Sequence, residues 1–118
     1  LNELAVRPHN SGHLTIEACL TSQFENHLRA VLDLPLGASG LRAPAAAMAN
    51  VLGGPHGEDP FDHVVRALTV PGAAVHRYGK VAAPNRKLGH VTATGEAVDH
   101  ARLVASHAAA AMTSGAAS

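Results

Sequence analysis

Asn2, Glu3, Arg7, His9 and Asn10 are residue types that handle metals and small anions, and they crowd into one short stretch. If Glu3 lies in a strand, Arg7 lies on the same face, because strand side chains repeat every two residues. A carboxylate and a guanidinium then share one space. The carboxylate is a hard oxygen ligand of the kind magnesium takes, usually one or two at a time together with phosphate oxygens. The planar fork of arginine matches carboxylate, bicarbonate or phosphate. His9 and Asn10 add directional donors in a glycine-bearing loop, whose backbone N–H groups can also face an anion. The combination reads as a metal on one side and a small anion on the other. A plainer reading stays open, with Glu3 and Arg7 a surface ion pair and the loop only a turn. His9 and His13 have the spacing of zinc ligands on a helix, but Asn10, Ser11 and Gly12 argue against a helix there, and so against zinc.

The elements that must position these residues follow from punctuation and periodicity. Leu1 to Val6 reads as the end of a strand and Arg7 to Gly12 (RPHNSG) as a loop. His13 to Leu20 is ambiguous between extended and helical. Ser22 and Glu25 make an S-x-x-E capping box, and Phe24, Leu28, Val31 and Leu32 follow on one helical face. Pro35 and Gly37 stop that helix. Ala38 to Pro44 reads as a linker, Ala45 to Leu52 as a short buried strand, and Gly53 to Glu58 as a loop. Asp59-Pro60 opens a helix to about Leu68, as an N-cap followed by proline. Pro71-Gly72 is a turn. Ala73 to Lys80 and Gly89 to Thr94 read as strands joined tightly through Ala83 to Lys87. A last helix runs from Gly95 or Glu96 to about Met112, with Val98, Ala101, Val104, Ala105 and Ala108 on one side, and Thr113 to Ser118 should fray. Two parts result: residues 1–37 close one domain, and residues 38–118 form a small mixed unit.

A length of 118 residues suits one domain, and 47% hydrophobic content permits a core. Much of that content is alanine, and with one tyrosine, two phenylalanines and no tryptophan the core is expected to be thin. A chain opening Leu-Asn-Glu without a methionine reads as a piece of a longer protein. Nothing resembles a signal peptide, and no run approaches the roughly 20 apolar residues of a membrane helix. Nine basic residues balance nine acidic ones, which argues against a nucleic-acid partner. Cys19 is the only cysteine, which forbids an internal disulfide and fits a reducing cytoplasm. The nine histidines lack cysteine partners and form no zinc-finger pattern. His27, His56, His63, His100 and His107 read as surface or partly buried side chains without chemistry.

Two blocks of residues carry a resemblance. NELAVRPHNSGHLTIEACLTSQFENHLRAVLDLPLG resembles the closing segment of the ATP-grasp domain in the 5-(carboxyamino)imidazole ribonucleotide synthetase family. VHRYGKVAAPNRKLGH resembles that family's C-terminal region, which reads tyrosine, lysine, a short turn, then Arg-Lys and Gly-His. The order and separation of the blocks also match, over Leu1 to about Gly95. The resemblance implies an α+β fold: the end of an ATP-grasp core (strand, loop, helix), followed by a small C-terminal β-rich unit with flanking helices. The family's Rossmann-like domain and nucleotide lid have no counterpart in these residues.

The resemblance further implies a cytoplasmic ligase of purine biosynthesis, commonly a homodimer, with no nucleic-acid or membrane partner. ATP would phosphorylate bicarbonate to carboxyphosphate, whose carboxyl group passes to 5-aminoimidazole ribonucleotide. It implies that Glu3 is one of two metal-binding carboxylates for Mg2+ and that Asn2 lies beside it at the nucleotide edge. Arg7, His9 and Asn10 would line the bicarbonate and carboxyphosphate pocket. Lys80, Arg86 and Lys87 would reach the ribonucleotide phosphate, for which a point charge and a fork both serve. Ser11 stands near the place of a glutamate base in related enzymes, and its better role is to close the loop before Gly12. Ala83 and Asn85 depart from the family's Arg and Gly, and Arg77 and Leu14 stand where other residue types are common. Two rivals are a formate-using ATP-grasp transformylase of the same pathway and a non-catalytic module. The transformylase loop continues Asp-Thr-Gly-Met where this chain has Asn10-Ser11-Gly12-His13. On its own, a chain with one metal carboxylate and no lid is expected not to turn over ATP.

Overall fold

The computed structural model describes residues 1–113. Its sheet is built around β3 (Lys87–Gly95), the central strand in the order β1-β3-β2. β1 (Ala45–Leu52), with the bounds expected from sequence, pairs antiparallel with β3 from Ala45↔Gly95 to Leu52↔Lys87. Leu88 is an extra residue opposite the Val51–Leu52 step, a bulge. It lets Leu88 join the same core as Val91, although their odd separation would put them on opposite faces of a regular strand.

β2 (Ala74–Arg77) pairs antiparallel with β3 on its other edge, from Ala74↔Thr92 to Arg77↔Gly89. It is shorter than the strand expected to reach Lys80. The chain turns away at Gly79, whose φ of 76° is in the left-handed region that glycine enters freely. The return to β3 is tight, with Asn85 at φ 58° and its N–H donating to the Gly53 carbonyl at 3.0 Å. Asparagine tolerates that left-handed position better than most residues, as expected from the sequence.

The helices follow their caps. Ser22 accepts from the Glu25 N–H and opens α2 (Gln23–Val31), but the Glu25 carboxylate pairs with Arg29 instead of completing the capping box. Asp59 accepts from the Phe61 N–H; the chain then makes a 3-10 turn over Pro60–His63 before α3 (Val64–Leu68). The ambiguous stretch from His13 to Leu20 is helical to Ala18 and extended at Cys19, which bridges to Leu41: a 3-10 helix, Asn10–Leu14, runs into α1 (Thr15–Ala18). The expectation that Asn10 to Gly12 would exclude helix is therefore corrected. A single 3-10 turn needs only one cap, which His9 supplies through Nδ1 to the Ser11 N–H.

α4 (Val98–Thr113) lies across β1 and β3 and presents Ala101, Ala105, Ala108, Ala109 and Met112 inward. Val98 is outside that face, 48% exposed. The core joins Val51, Phe61, Ala67, Leu88 and Val91 to this helix, with the short helices of residues 10–18 on β1 and β3. The fold is α+β, as expected. The tail expected to fray falls, beyond Thr113, outside the described residues.

The strand expected over Leu1 to Val6 is not formed. A strand exists only with a neighbour to bond, no described residue pairs with these, and Leu1, Leu4 and Val6 are fully exposed. The apolar face of α2 is likewise uncovered, with Leu28, Val31 and Leu32 all more than half exposed. No helix among the described residues is long and apolar enough to cross a membrane.

Candidate functional site

Without the first strand, Glu3 and Arg7 do not share a face. Asn2 and Glu3 are exposed, and Arg7 donates to the carbonyl of its neighbour Pro8 at 3.2 Å rather than to Glu3. Arg7 also borders a surface hollow of about 430 Å³ between residues 5–8 and the α2 flank, which includes Gln23, Asn26 and His27. His9 and Asn10 are held more firmly. His9 Nδ1 accepts from the Ser11 N–H at 3.2 Å, with the Ser11 hydroxyl 3.1 Å away, so a neutral His9 carries its proton on Nε2. Ser11 therefore acts locally on its own loop. Asn10 Nδ2 donates to Asn50 Oδ1 on β1 at 3.0 Å, which ties the loop to the sheet.

Lys80, Arg86 and Lys87 lie exposed on the β2–β3 hairpin. Lys80 Nζ sits 5.5 Å from the centre of the Tyr78 ring, a cation–π contact. Arg86 donates to the Val81 carbonyl at 3.0 Å, which fixes one arm of its fork inside the hairpin. Arg77, one of the departures, donates to Asp59 at 2.9 Å and covers the Phe61 ring.

The two regions meet at a cluster the sequence reading did not single out. Tyr78 places its hydroxyl 3.2 Å from His13 Nδ1 and 2.8 Å from His90 Nδ1. His13 stacks on the Tyr78 ring and also lies against Phe24 and His90. His13 Nδ1 is 2.8 Å from the Asn10 carbonyl, which can only accept, so that nitrogen carries a proton. The Tyr78 hydroxyl is then an acceptor toward His13, and the direction of its contact with His90 Nδ1 follows the His90 tautomer. Tyr78 thus touches the loop of His9 and Asn10 through His13, and carries Lys80 on its ring. Burial raises the Tyr78 hydroxyl above its ordinary pKa. Burial also lowers the His90 imidazole to about 4, helped by the charges of His76 and His13, so the ring is neutral at pH 7.

Further along, Glu17 accepts from His76 Nε2 at 2.8 Å. The available signal for these residues was His76 on β2, Tyr78 just beyond its end and His90 on β3, of which a correct hairpin register sets His76 opposite His90. His27, His56, His63, His100 and His107 are all exposed, as expected.

A model of the phosphoribosylaminoimidazole carboxylase C-terminal domain matches residues 46–103, and an ATP-grasp domain model matches residues 1–24. The chain belongs to the phosphoribosylaminoimidazole carboxylase family. Within this family, the N5-carboxyaminoimidazole ribonucleotide synthase of Mycobacterium bovis is 52% identical over 103 residues, covering 83% of this chain and 24% of that protein. The crystal structure of N5-carboxyaminoimidazole ribonucleotide synthetase from Thermotoga maritima is 44% identical with a TM-score of 0.78, covering 92% of this chain and 31% of that one. The synthase from Aspergillus clavatus, in complex with ADP and 5-aminoimidazole ribonucleotide, is 40% identical with a TM-score of 0.78, over 92% of this chain and 30% of that one. A glycinamide transformylase T from Mycobacterium tuberculosis is less alike, 29% identical with a TM-score of 0.69, over 90% of this chain and 26% of that one. The chain spans about a fifth of the length of the curated relatives it matches, 18% and 24% in the examples from Vigna aconitifolia and Mycobacterium bovis.

Proposed function

We propose that this chain is the C-terminal part of an ATP-dependent carbon–nitrogen ligase that carboxylates 5-aminoimidazole ribonucleotide with bicarbonate. Residues 1–37 would close the ATP-grasp core and residues 38–118 would form the small C-terminal domain. A bicarbonate oxygen attacks the γ-phosphorus of ATP, ADP leaves, and carboxyphosphate forms. The exocyclic amine of the ribonucleotide then attacks the carboxyl carbon, phosphate leaves, and the nitrogen gives up a proton.

The observation that carries this reading is the junction at Tyr78, which touches His13 beside the Arg7–Asn10 loop and holds Lys80 on its ring. Anion chemistry and phosphate recognition are thereby coupled within one small framework. In this reading Arg7 grips bicarbonate with its fork, and His9 offers Nε2–H as a fixed donor. Asn10, with its amide committed to Asn50, mainly holds the loop in place. Lys80, Arg86 and Lys87 receive the ribonucleotide phosphate. Asn2 lies at the nucleotide edge. Glu3, an exposed hard carboxylate, suits one ligand of Mg2+, which would neutralise the phosphoryl group in transfer. A homodimer and a cytoplasmic setting belong to the same reading and rest on the family resemblance.

The test uses the full-length protein that carries this segment, assayed for ADP release with bicarbonate and ribonucleotide. Arg7→Ala should lower turnover on the order of 10²–10³-fold, the usual cost of one anion-stabilising donor. Lys80→Ala should act on the KM for the ribonucleotide. ADP release that requires formate instead of bicarbonate would overturn the reading, as would full activity in both variants.

A further inference from the structure

Three side chains outside the proposed ligase machinery converge where α1, β2 and β3 meet. Glu17 comes from α1, His76 from β2 and His90 from β3, and the ligand atoms they offer all lie within 4.8 Å of one another. The β-ladder produces this convergence, because His76 and His90 are directly opposed and their rings stack at 4.6 Å. Glu17 Oε2 is bonded to His76 Nε2. Two atoms are left over. Glu17 Oε1 and His90 Nε2 are both buried, neither has a partner among the described residues, and His90 is 0% exposed. Buried polar atoms normally find a hydrogen-bond partner, and these two have none among the described residues. A cation held among the three residues satisfies both.

Two imidazoles and a carboxylate form a donor set of the zinc type, whereas magnesium and calcium favour oxygen-only shells. Three protein ligands leave a position for water or a small anion, and the side chains of His76 and Glu17, 34% and 27% exposed, leave it open to solvent. The outer support that a metal-bound imidazole needs is also in place, since the Tyr78 hydroxyl meets His90 at Nδ1, the nitrogen the metal would not use. We propose that Glu17, His76 and His90 form a binding site for a divalent transition ion of the zinc type, which fastens α1 to the β2–β3 hairpin. The site is independent of the ligase reading, because all its ligands lie in this chain and none belongs to the proposed catalytic set.

Loading has a structural signature. The ion needs the Nε2 lone pair. In the loaded site the proton of the neutral His90 ring therefore sits on Nδ1, with imidazole donating and phenol accepting. His90 neither gains nor loses a proton overall.

The experiment titrates the chelator-treated chain with ZnCl2 against a chromophoric competitor, and follows imidazole nitrogens by 15N NMR. The expected result is one tightly bound ion per chain, with the proton of the loaded His90 on Nδ1. Tyr78→Phe should weaken binding roughly 10–100-fold, the usual cost of losing a supporting partner, and Glu17→Gln and His76→Gln should each weaken it further. His56→Gln, at an exposed histidine outside the three ligands, should bind as the parent does. Far-UV circular dichroism checks folding, and Glu17→Gln keeps an acceptor for His76. Absence of a tight ion in the parent overturns the site. So does equal affinity across Glu17→Gln, His76→Gln and His56→Gln, or a zinc-loaded His90 whose proton sits on Nε2.

Discussion

Gly89→Ala tests the packing that sets the hairpin beside the sheet. Gly89 is buried on the central strand, opposite Val51 on one side and Arg77 on the other. A Cβ built there would lie 2.2 Å from the His76 carbonyl oxygen and 2.4 and 2.8 Å from two Phe61 ring atoms. Gly89 is not among the residues at positive φ, so alanine fits its backbone conformation. On chain entropy alone, the substitution would stabilise by about 0.4–1 kcal/mol. Sterics run the other way. The Phe61 ring can turn, but the carbonyl belongs to the β2 backbone and cannot move without loosening the ladder at Arg77↔Gly89. Overpacking typically costs about 1–3 kcal/mol, and a weakened ladder hydrogen bond adds about 1 kcal/mol. The net expectation is a loss of about 2–3 kcal/mol in chemical denaturation followed by far-UV circular dichroism. Gly72→Ala is the control: its φ is 84° with nothing within 4 Å, so it should lose only the roughly 1–2 kcal/mol of a left-handed alanine. If Gly89→Ala is as stable as the parent, or more stable than Gly72→Ala, the steric account fails.

Ser22→Ala should cost about 1 kcal/mol of thermal stability, because it removes the only side-chain cap of α2; an unchanged melting temperature would show that the cap contributes nothing. In chelator-treated protein, stability should fall with pH because of His90, whose pKa drops from 6.5 to about 4 on folding. Between those values the unfolded chain binds a proton that the folded chain refuses, so the loss begins near pH 6.5 and is complete near pH 4, reaching about 3 kcal/mol. Urea titrations across this range in the parent and His90→Gln measure it, and equal slopes in the two proteins would refute it.

How much was legible in the sequence depended on how local each cause was. The start of α2 at Ser22, the Asp59 cap and both ends of β1 were readable, because caps and strand runs are decided within a few residues. Asn85 in the hairpin was readable too, since left-handed tolerance is a property of the residue. The expected strand at Leu1 to Val6 was not, because a strand is a property of a pair and no described residue supplies the other member. Nor was the Glu25–Arg29 pair, which draws the carboxylate from its capping partner. The families of residues around Arg7 and Lys80 were identified from sequence motifs, but their connection through His13 and Tyr78 spans most of the chain. The Glu17, His76 and His90 cluster needed the β2–β3 register before it could be seen at all.

The inner face of α4 is almost all alanine: Ala101, Ala105 and Ala108 are at most 1% exposed, and Ala93 beneath them on β3 is 2% exposed. Such a seam gains its attraction from backbones lying close together, not from interlocking bulk. Its evolutionary freedom is correspondingly one-sided. Drift toward serine or glycine leaves the spacing intact, whereas a single added methyl group must lift a whole helix from two strands. Lineages of this domain should therefore vary freely on the outer face of α4, at Arg102, Leu103 and Ser106, while the inner face stays confined to the smallest side chains.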